Sequence, residues 1–170
     1  MRGNFDLPPL PRWEGIKGRV NLLKKKIAGT FMTIISEMIS ISTKGFSDIL
    51  DVTQQVDAVV GRSKIQNGLV TVFCPGSTGA LTTIEYESGV LRDLQKAVEK
   101  IVPSNIAYEH DRRWGDGNGF SHVRAALMKP SLSIPMIKGR LALGTWQQIV
   151  FIDFDNRKRE RNILVQVMGE

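Results

Sequence analysis

Leu69-Val70-Thr71-Val72-Phe73-Cys74 runs into Pro75-Gly76-Ser77-Thr78-Gly79, after which the chain resumes as Ala80-Leu81-Thr82-Thr83-Ile84-Glu85-Tyr86. A short apolar, β-branched run between Asn67-Gly68 and Pro-Gly reads as a buried strand. The second piece reads as another strand, set off by the break. Leu91, Leu94, Val98 and Ile101 then recur at spacings of three and four, the mark of a helix face, and Pro103 ends it. Strand, break, strand, helix within about 35 residues already points to a mixed fold.

Upstream, Ile39 and Ile41 alternate with Ser40 and Ser42, which predicts a strand with one apolar face. Ile49, Val52, Val56 and Val59 predict a first helix, with Asp48 as its N-cap and Gly61 as its stop. Downstream, residues 103–120 are polar and glycine-rich and read as a long loop, the kind that is usually functional or disordered. A short helix is expected from Ser121 to Met128. Leu132, Ile134 and Met136 alternate, and Lys138-Gly139 turns the chain. Leu141 to Phe154 reads as one long strand bent at Gly144, Asn156 to Arg161 as a charged turn, and Ile163 to Val167 as the last strand. Two main helices among antiparallel hairpins give the class α+β.

The 170 residues suit one domain with an appendage, and a hydrophobic fraction of 42% suits a globular core. Residues 1–31 hold seven Lys/Arg against two acids, so they carry +5 of the formal +6. They include Pro8-Pro9-Leu10-Pro11 and show no period. They read as a flexible basic extension, or as sequence upstream of a start at Met32 or Met38, with the domain proper at 38–170. The folded part is then close to neutral, and no nucleic-acid partner is expected. The lone cysteine, Cys74, excludes an internal disulfide framework and reads as a small buried hydrophobe in a reducing, cytoplasmic setting. No stretch approaches the roughly 20 apolar residues of a membrane-spanning helix. Lys24-Lys25-Lys26 before the apolar residues 27–35 is only faintly like a signal peptide, because Glu37 interrupts it and no small-residue cleavage site follows.

The chain's two histidines, His110 and His122, flank the same polar loop, with Asp111, Glu109 and Asp116 as neighbouring carboxylates. Imidazole carries protons near neutral pH and ligates metals. Two histidines at this spacing fit a shared cleft if the loop folds back, and equally fit two solvated loop residues. Gly76-Ser77-Thr78-Gly79 supplies glycine backbone and hydroxyls suited to an anion, or is an ordinary turn; it is neither a Walker loop nor a dinucleotide fingerprint. Glu85 alternates with Ile84 and Tyr86. Within the expected long strand, Trp146 is a stacking surface or a core residue, while Thr145 and Gln147 face the other way. Arg157, Lys158, Arg159 and Arg161 form a basic turn, either a solvated tip or a phosphate clamp.

Tyr108-Glu109-His110-Asp111, Ser121-His122, Ser131-Leu132-Ser133-Ile134-Pro135, Lys138-Gly139-Arg140 and Gly144-Thr145-Trp146-Gln147-Gln148 follow one another in an order that resembles the YjbQ-type family. Ala80-Leu81-Thr82, Glu85, Asp93 and the final Val167-Met168-Gly169-Glu170 fit as well, so the likeness spans about 38–170. It implies a mainly antiparallel β-sandwich with two main helices packed on it, assembled as a homotrimer. It implies the activity for which family members are labelled secondary thiamine-phosphate synthases, joining a pyrimidinylmethyl diphosphate to a thiazole phosphate with release of pyrophosphate. The alternative is a non-catalytic trimeric module holding a metal or a phosphorylated metabolite. On this resemblance His110, Asp111, His122 and Glu85 are the catalytic candidates. Ser77, Thr78, Tyr108, Thr145, Trp146, Gln147 and Arg159 are the substrate-binding ones, and His110 and His122 would ligate a divalent ion, zinc or magnesium. Many relatives carry His-Thr-Ser where this chain has Gly76-Ser77-Thr78, so a third imidazole is absent here.

Overall fold

A computed structural model describes residues 23–27 and 30–170, with side chains from Phe31 onward. Among the described residues the chain forms two antiparallel sheets. The larger has the order β1 (Leu23–Ile27), β2 (Thr30–Thr43), β9 (Arg159–Gly169), β4 (Gly68–Phe73), β6 (Ser131–Ile137) and β7 (Arg140–Leu141). The smaller has the order β3 (Asp48–Asp51), β8 (Gln148–Asp153) and β5 (Gly79–Ile84). The helices are α1 (Thr53–Ser63), α2 (Ser88–Ile101), α3 (Glu109–Trp114) and α4 (Gly119–Met128). None of them is long and apolar enough to cross a membrane. The α+β class and its antiparallel sheets match the expectation.

β8 organises the interior. Its apolar residues have no polar alternation because both faces are covered. Ile149 and Phe151 enter a core with Val70 and Val72 of β4, Ile163, Val165 and Val167 of β9, and Val52, Val56 and Val59 at α1. Val150, Ile152 and the following Phe154 enter a second core with Val98 of α2 and Ala125 of α4. The molecule is therefore layered: large sheet, α1 and small sheet, then α2 and α4. β5 lies beside β8 with Gly79 opposite Asp153 and Ile84 opposite Gln148. That register sets which residues stand at which end of the small sheet.

Several elements differ from the expectation. Leu141 to Phe154 is not one strand: β7 stops at Leu141, and the chain turns through residues 142–147 before β8. Gln147 folds back to hold that turn, its Oε1 accepting from Gly144 N at 2.8 Å while its own N–H donates to the Gly144 carbonyl at 2.9 Å. Asp48 is not a helix N-cap, because residues 48–51 pair with β8 and the helix starts at Thr53, whose N–H is taken by Asp51 Oδ1 at 2.8 Å. Left-handed Lys64, not Gly61, closes α1. Ile101 is 72% exposed, and Val102 takes the buried place. The loop of 103–120 contains α3. The ordered sheet begins earlier than residue 38: β1 and the first part of β2 fall within or just after the stretch read as a flexible extension, because β1 pairs along β2 from Leu23↔Ile34 to Ile27↔Thr30. The remainder of that reading, residues 1–22 and 28–29, lies outside the described residues.

Phe151 is fully buried, and a Cβ placed on Gly79 would lie 2.5 Å from its ring. Phe151→Ala is expected to cost about 3–5 kcal/mol of unfolding free energy, through lost transfer energy and the cavity left behind. Gly79→Ala is expected to cost about 1–3 kcal/mol by overpacking. Denaturant titration of both variants checks the pair.

Candidate functional site

α3 and α4 bring the two histidines together. Gly115 ends α3 in the left-handed region (φ 67°) and Gly117 repeats it (φ 62°), so the chain reverses within four residues. Asp111 Oδ1 accepts from Gly119 N at 2.8 Å, tying α3 to the start of α4. Gly119 must be glycine, since a Cβ there would lie 2.5 Å from Tyr108 Cβ. Asn118 is buried, and its Oδ1 accepts from Asn156 N at 3.2 Å. The Ser121 hydroxyl shares its proton between Asn118 Oδ1 at 2.6 Å and the Phe154 carbonyl at 2.5 Å. These contacts pin α4 to the end of β8.

The result is a tilted stack of His110 on His122, with ring centroids 4.4 Å apart and planes at 32°. His110 Nδ1 lies 3.3 Å from Asp116 Oδ1 and 3.6 Å from Asp111 Oδ1 but makes no hydrogen bond to either. Burial lowers the pKa of His122 below the ordinary imidazole value, and the neighbouring His110 pushes the same way; Asp116, Asp155 and Asp111 oppose them in part. His122 is therefore a neutral imidazole at pH 7, able to accept a proton. Two stacked rings do not aim both nitrogen lone pairs at one point, since the lone pairs lie in the ring planes. The donors that do converge are His110, Asp111 and Asp116, whose ligand atoms lie within 4.8 Å of one another. A buried imidazole nitrogen without a partner beside two carboxylates fits a divalent ion, with His122 outside that set.

Behind the histidines lies a layer of buried charge. Arg161 forks onto Asp153, Nε to Oδ2 at 2.7 Å and Nη2 to Oδ1 at 2.6 Å, and the same Nη2 donates to Thr78 Oγ1 at 2.8 Å. Thr43 donates to Asp153 Oδ2 at 2.5 Å. Asp155 Oδ2 accepts from Thr78 at 3.0 Å and from Arg159 Nε at 2.9 Å. Burial would raise the Asp155 pKa, yet the hydrogen bonds of Arg159 and Thr78 and the charges of Arg159 and Arg161 together outweigh it and hold the carboxyl below its ordinary range. Asp155 is 1% exposed, and its Oδ1 has no partner. This carboxylate joins the arginine layer to His122.

The structure divides the residues singled out from the sequence into two groups. Thr78 and Arg159 bond to Asp155, whose charge also acts on His122, and His110 stacks on His122 with Asp111 beside it. Ser77 is exposed at the same break, where Gly76 lies against Arg161: a Cβ on Gly76 would be 3.5 Å from Nη1. Thr78 faces inward and serves Asp155 rather than solvent. Tyr108 is committed too, its phenol donating to the Pro103 carbonyl at 2.6 Å while its ring backs onto Gly119. Cys74 is buried and its thiol is pushed up to about 11 by that burial, Arg161 offsetting part of the rise, so it is a small hydrophobe as expected. Glu85, Thr145 and Trp146 stand elsewhere, lining a hollow at the Ile84–Gln148 end of the small sheet. Gln147 belongs to the same turn. Five strand residues, about 17 Å, separate that end from Asp153. Trp146 is not a core residue, and the turn at 142–147 removes the strand alternation expected of Thr145 and Gln147.

Asp153 and Asp155 escaped the sequence reading, and Arg161 entered it only as part of a basic turn. Their signal was present: two acids at alternating positions at the end of an apolar run, followed four to eight residues on by the arginines that pair with them, is costly unless the charges pair.

A histidine whose folded pKa is lowered contributes stability above its unfolded pKa and loses it as pH falls through the folded value. The melting temperature is therefore expected to drop below about pH 6.5, and to drop less in His122→Gln. By NMR the His122 ring should titrate with a midpoint below about 6.5. Scans from pH 8 to 5 on both proteins, with one-dimensional ring-proton spectra, check this.

The UPF0047 protein YjbQ-like family profile matches residues 37–170. A UPF0047 protein of Methanothermobacter thermautotrophicus is 37% identical over 142 residues, 84% of this chain and 97% of its own length. Among solved structures, a YbjQ-like protein of unknown function from Sulfolobus solfataricus superposes with a TM-score of 0.78 at 29% identity, covering 82% of this chain and 99% of the other. An uncharacterized conserved protein of the same family from Clostridium acetobutylicum superposes with a TM-score of 0.71 at 32% identity, covering 77% and 98%. With this sequence match and this shared fold, the chain belongs to the YjbQ-like UPF0047 family.

Proposed function

We propose that the protein is a cytoplasmic, homotrimeric transferase of the secondary thiamine-phosphate synthase kind. One observation carries this reading: a pair of stacked imidazoles is coupled through a buried carboxylate to two arginines beside a glycine-rich break. In the reaction the thiazole ring nitrogen forms a bond to the pyrimidinylmethyl carbon. The bond from that carbon to the diphosphate oxygen breaks, and pyrophosphate leaves with the electron pair. The protein's work is to neutralise charge on the leaving group and hold the partners in line. Arg159, whose Nη atoms have no partner among the described residues, and exposed Ser77 at the break would meet phosphate oxygens. His110 and His122 carry the proton that the departing pyrophosphate takes up, with Asp111 and Asp116 beside His110. A divalent ion, zinc or magnesium, would be held by His110, Asp111 and Asp116 and would add positive charge at the diphosphate. Thr78 acts indirectly, by orienting Asp155.

The second reading is a non-catalytic module that binds a phosphorylated metabolite or a metal. It is favoured by the distance of Trp146 and Glu85 from the histidines, which takes one stacking candidate and one carboxylate out of the site within a single copy. Pyrophosphate release from the two precursors, measured beside calorimetric binding of each, separates the readings. Release by the native protein, falling at least 100-fold in His110→Ala/His122→Ala with binding kept, is the expected result. Binding without release would favour the module, and release unchanged in the double variant would contradict the assignment of the histidines.

A further inference from the structure

None of the residues of α3 is buried, and its last position is Trp114, 66% exposed. A lone exposed indole is ordinary on a protein surface. The place of this one is not. Trp114 follows His110 by four residues, so the two side chains share a helix face, and helical side chains lean back toward the preceding turn. The segment from His110 to Asp116 also closes on itself, with His110 Nδ1 3.3 Å from Asp116 Oδ1. Trp114 therefore belongs to the short closed segment that carries the three converging donors, His110, Asp111 and Asp116. The neighbouring aromatic residues are already committed. Tyr108 backs onto Gly119, and Phe120 is buried with the Arg124 guanidinium 4.8 Å from its ring centroid.

Beside the indole stands a cation. The Arg113 guanidinium carbon lies 5.7 Å from the Trp114 ring centroid, near the ~6 Å outer limit of a cation–π contact. Its neighbour Arg112 is spent on Glu109 at 2.6 Å, whereas Arg113 has no hydrogen-bond or ion-pair partner among the described residues. A flat π surface next to an uncommitted guanidinium suits one chemical class of ligand, a heteroaromatic ring that carries phosphate. The ring stacks on the indole, and the guanidinium fork takes the phosphate oxygens. We infer that Trp114 and Arg113 form a clamp that holds such a ligand at the rim of the histidine pair. Trp114 fixes the plane of the ring, and Arg113 adds positive charge from α3 to that of Arg159 on β9. The inference rests on the function proposed above for the identity of the ligand, its pyrimidinylmethyl diphosphate.

Calorimetry on the full chain, with the pyrimidinylmethyl diphosphate and with inorganic pyrophosphate, separates the two halves of the clamp. Trp114→Ala is expected to weaken binding of the pyrimidine ester about tenfold while pyrophosphate binds within about twofold of the native value, because only the ester has a ring to stack. Trp114→Phe should recover most of that loss. Arg113→Gln is expected to weaken both probes about threefold, the size of an exposed charge contact. All three positions of change are on the surface, so the melting curves should match the native one. Ester affinity unchanged in Trp114→Ala, a loss shared equally by pyrophosphate, or no recovery in Trp114→Phe would overturn the stacking role. Native affinities in Arg113→Gln would overturn the cationic half. A native protein that binds neither probe would overturn the clamp together with the reading of the site, whereas binding of both by the native protein with unaltered variants would overturn the clamp alone. Pyrophosphate release, assayed in parallel, reports on the chemistry: the expected binding pattern without release upholds the clamp and favours the non-catalytic module.

Discussion

The fork of Arg161 onto Asp153 is the constraint from which the rest of the site follows. Asp153 is wholly buried at the end of the central strand, where an unpaired carboxylate would be far too costly to keep charged. The guanidinium neutralises it with two parallel hydrogen bonds, and Thr43 takes a further share. Removing one partner of such a pair typically costs about 3–5 kcal/mol, because it strands the other charge. Once Arg161 is fixed, its Nη2 also fixes Thr78, and Thr78 fixes Asp155. A stability device thereby becomes a positioning device.

Asp155 then has one oxygen committed to Thr78 and Arg159 and the other unpartnered. Its charge opposes the burial that depresses His122. The imidazole is kept neutral but not inert, and a proton arriving at the cleft meets a ring whose basicity the arginine layer tunes at one remove. The partly exposed faces of Arg159 and the Ser77 break look outward from the same layer. Buried charge, anion-facing surface and proton carriers are thus one connected arrangement, set where β8 ends and α4 begins.

Much of this was legible in the sequence, and the failures have physical causes. The strand read at 69–74 showed as an apolar run between turn residues and is β4, Gly68–Phe73, while α2 showed by the spacing of Leu91, Leu94 and Val98. The convergence of His110 and His122 could be suspected from the polar loop they flank, but not established, since it depends on left-handed Gly115 and Gly117 and on Asp111 bonding to Gly119 across the turn. The segment from Leu141 to Phe154 was misread because its apolar residues continue through the turn. What stops the strand is Gln147 bonding back to Gly144, a side-chain contact that leaves no periodic trace. Within one copy Trp146 and Glu85 stand apart from the histidines for a related reason: likeness to a family fixes which residues recur, while strand register fixes which end of a sheet they occupy.

The most direct test of the coupling between the two layers is the titration of His122 in Asp155→Asn, followed by ring-proton NMR in a variant whose unfolding remains cooperative. If Asp155 holds the imidazole's basicity up against burial, the midpoint moves below that of the native protein. A midpoint identical to the native one would mean that the buried charge layer and the histidines are independent, and the account would fail.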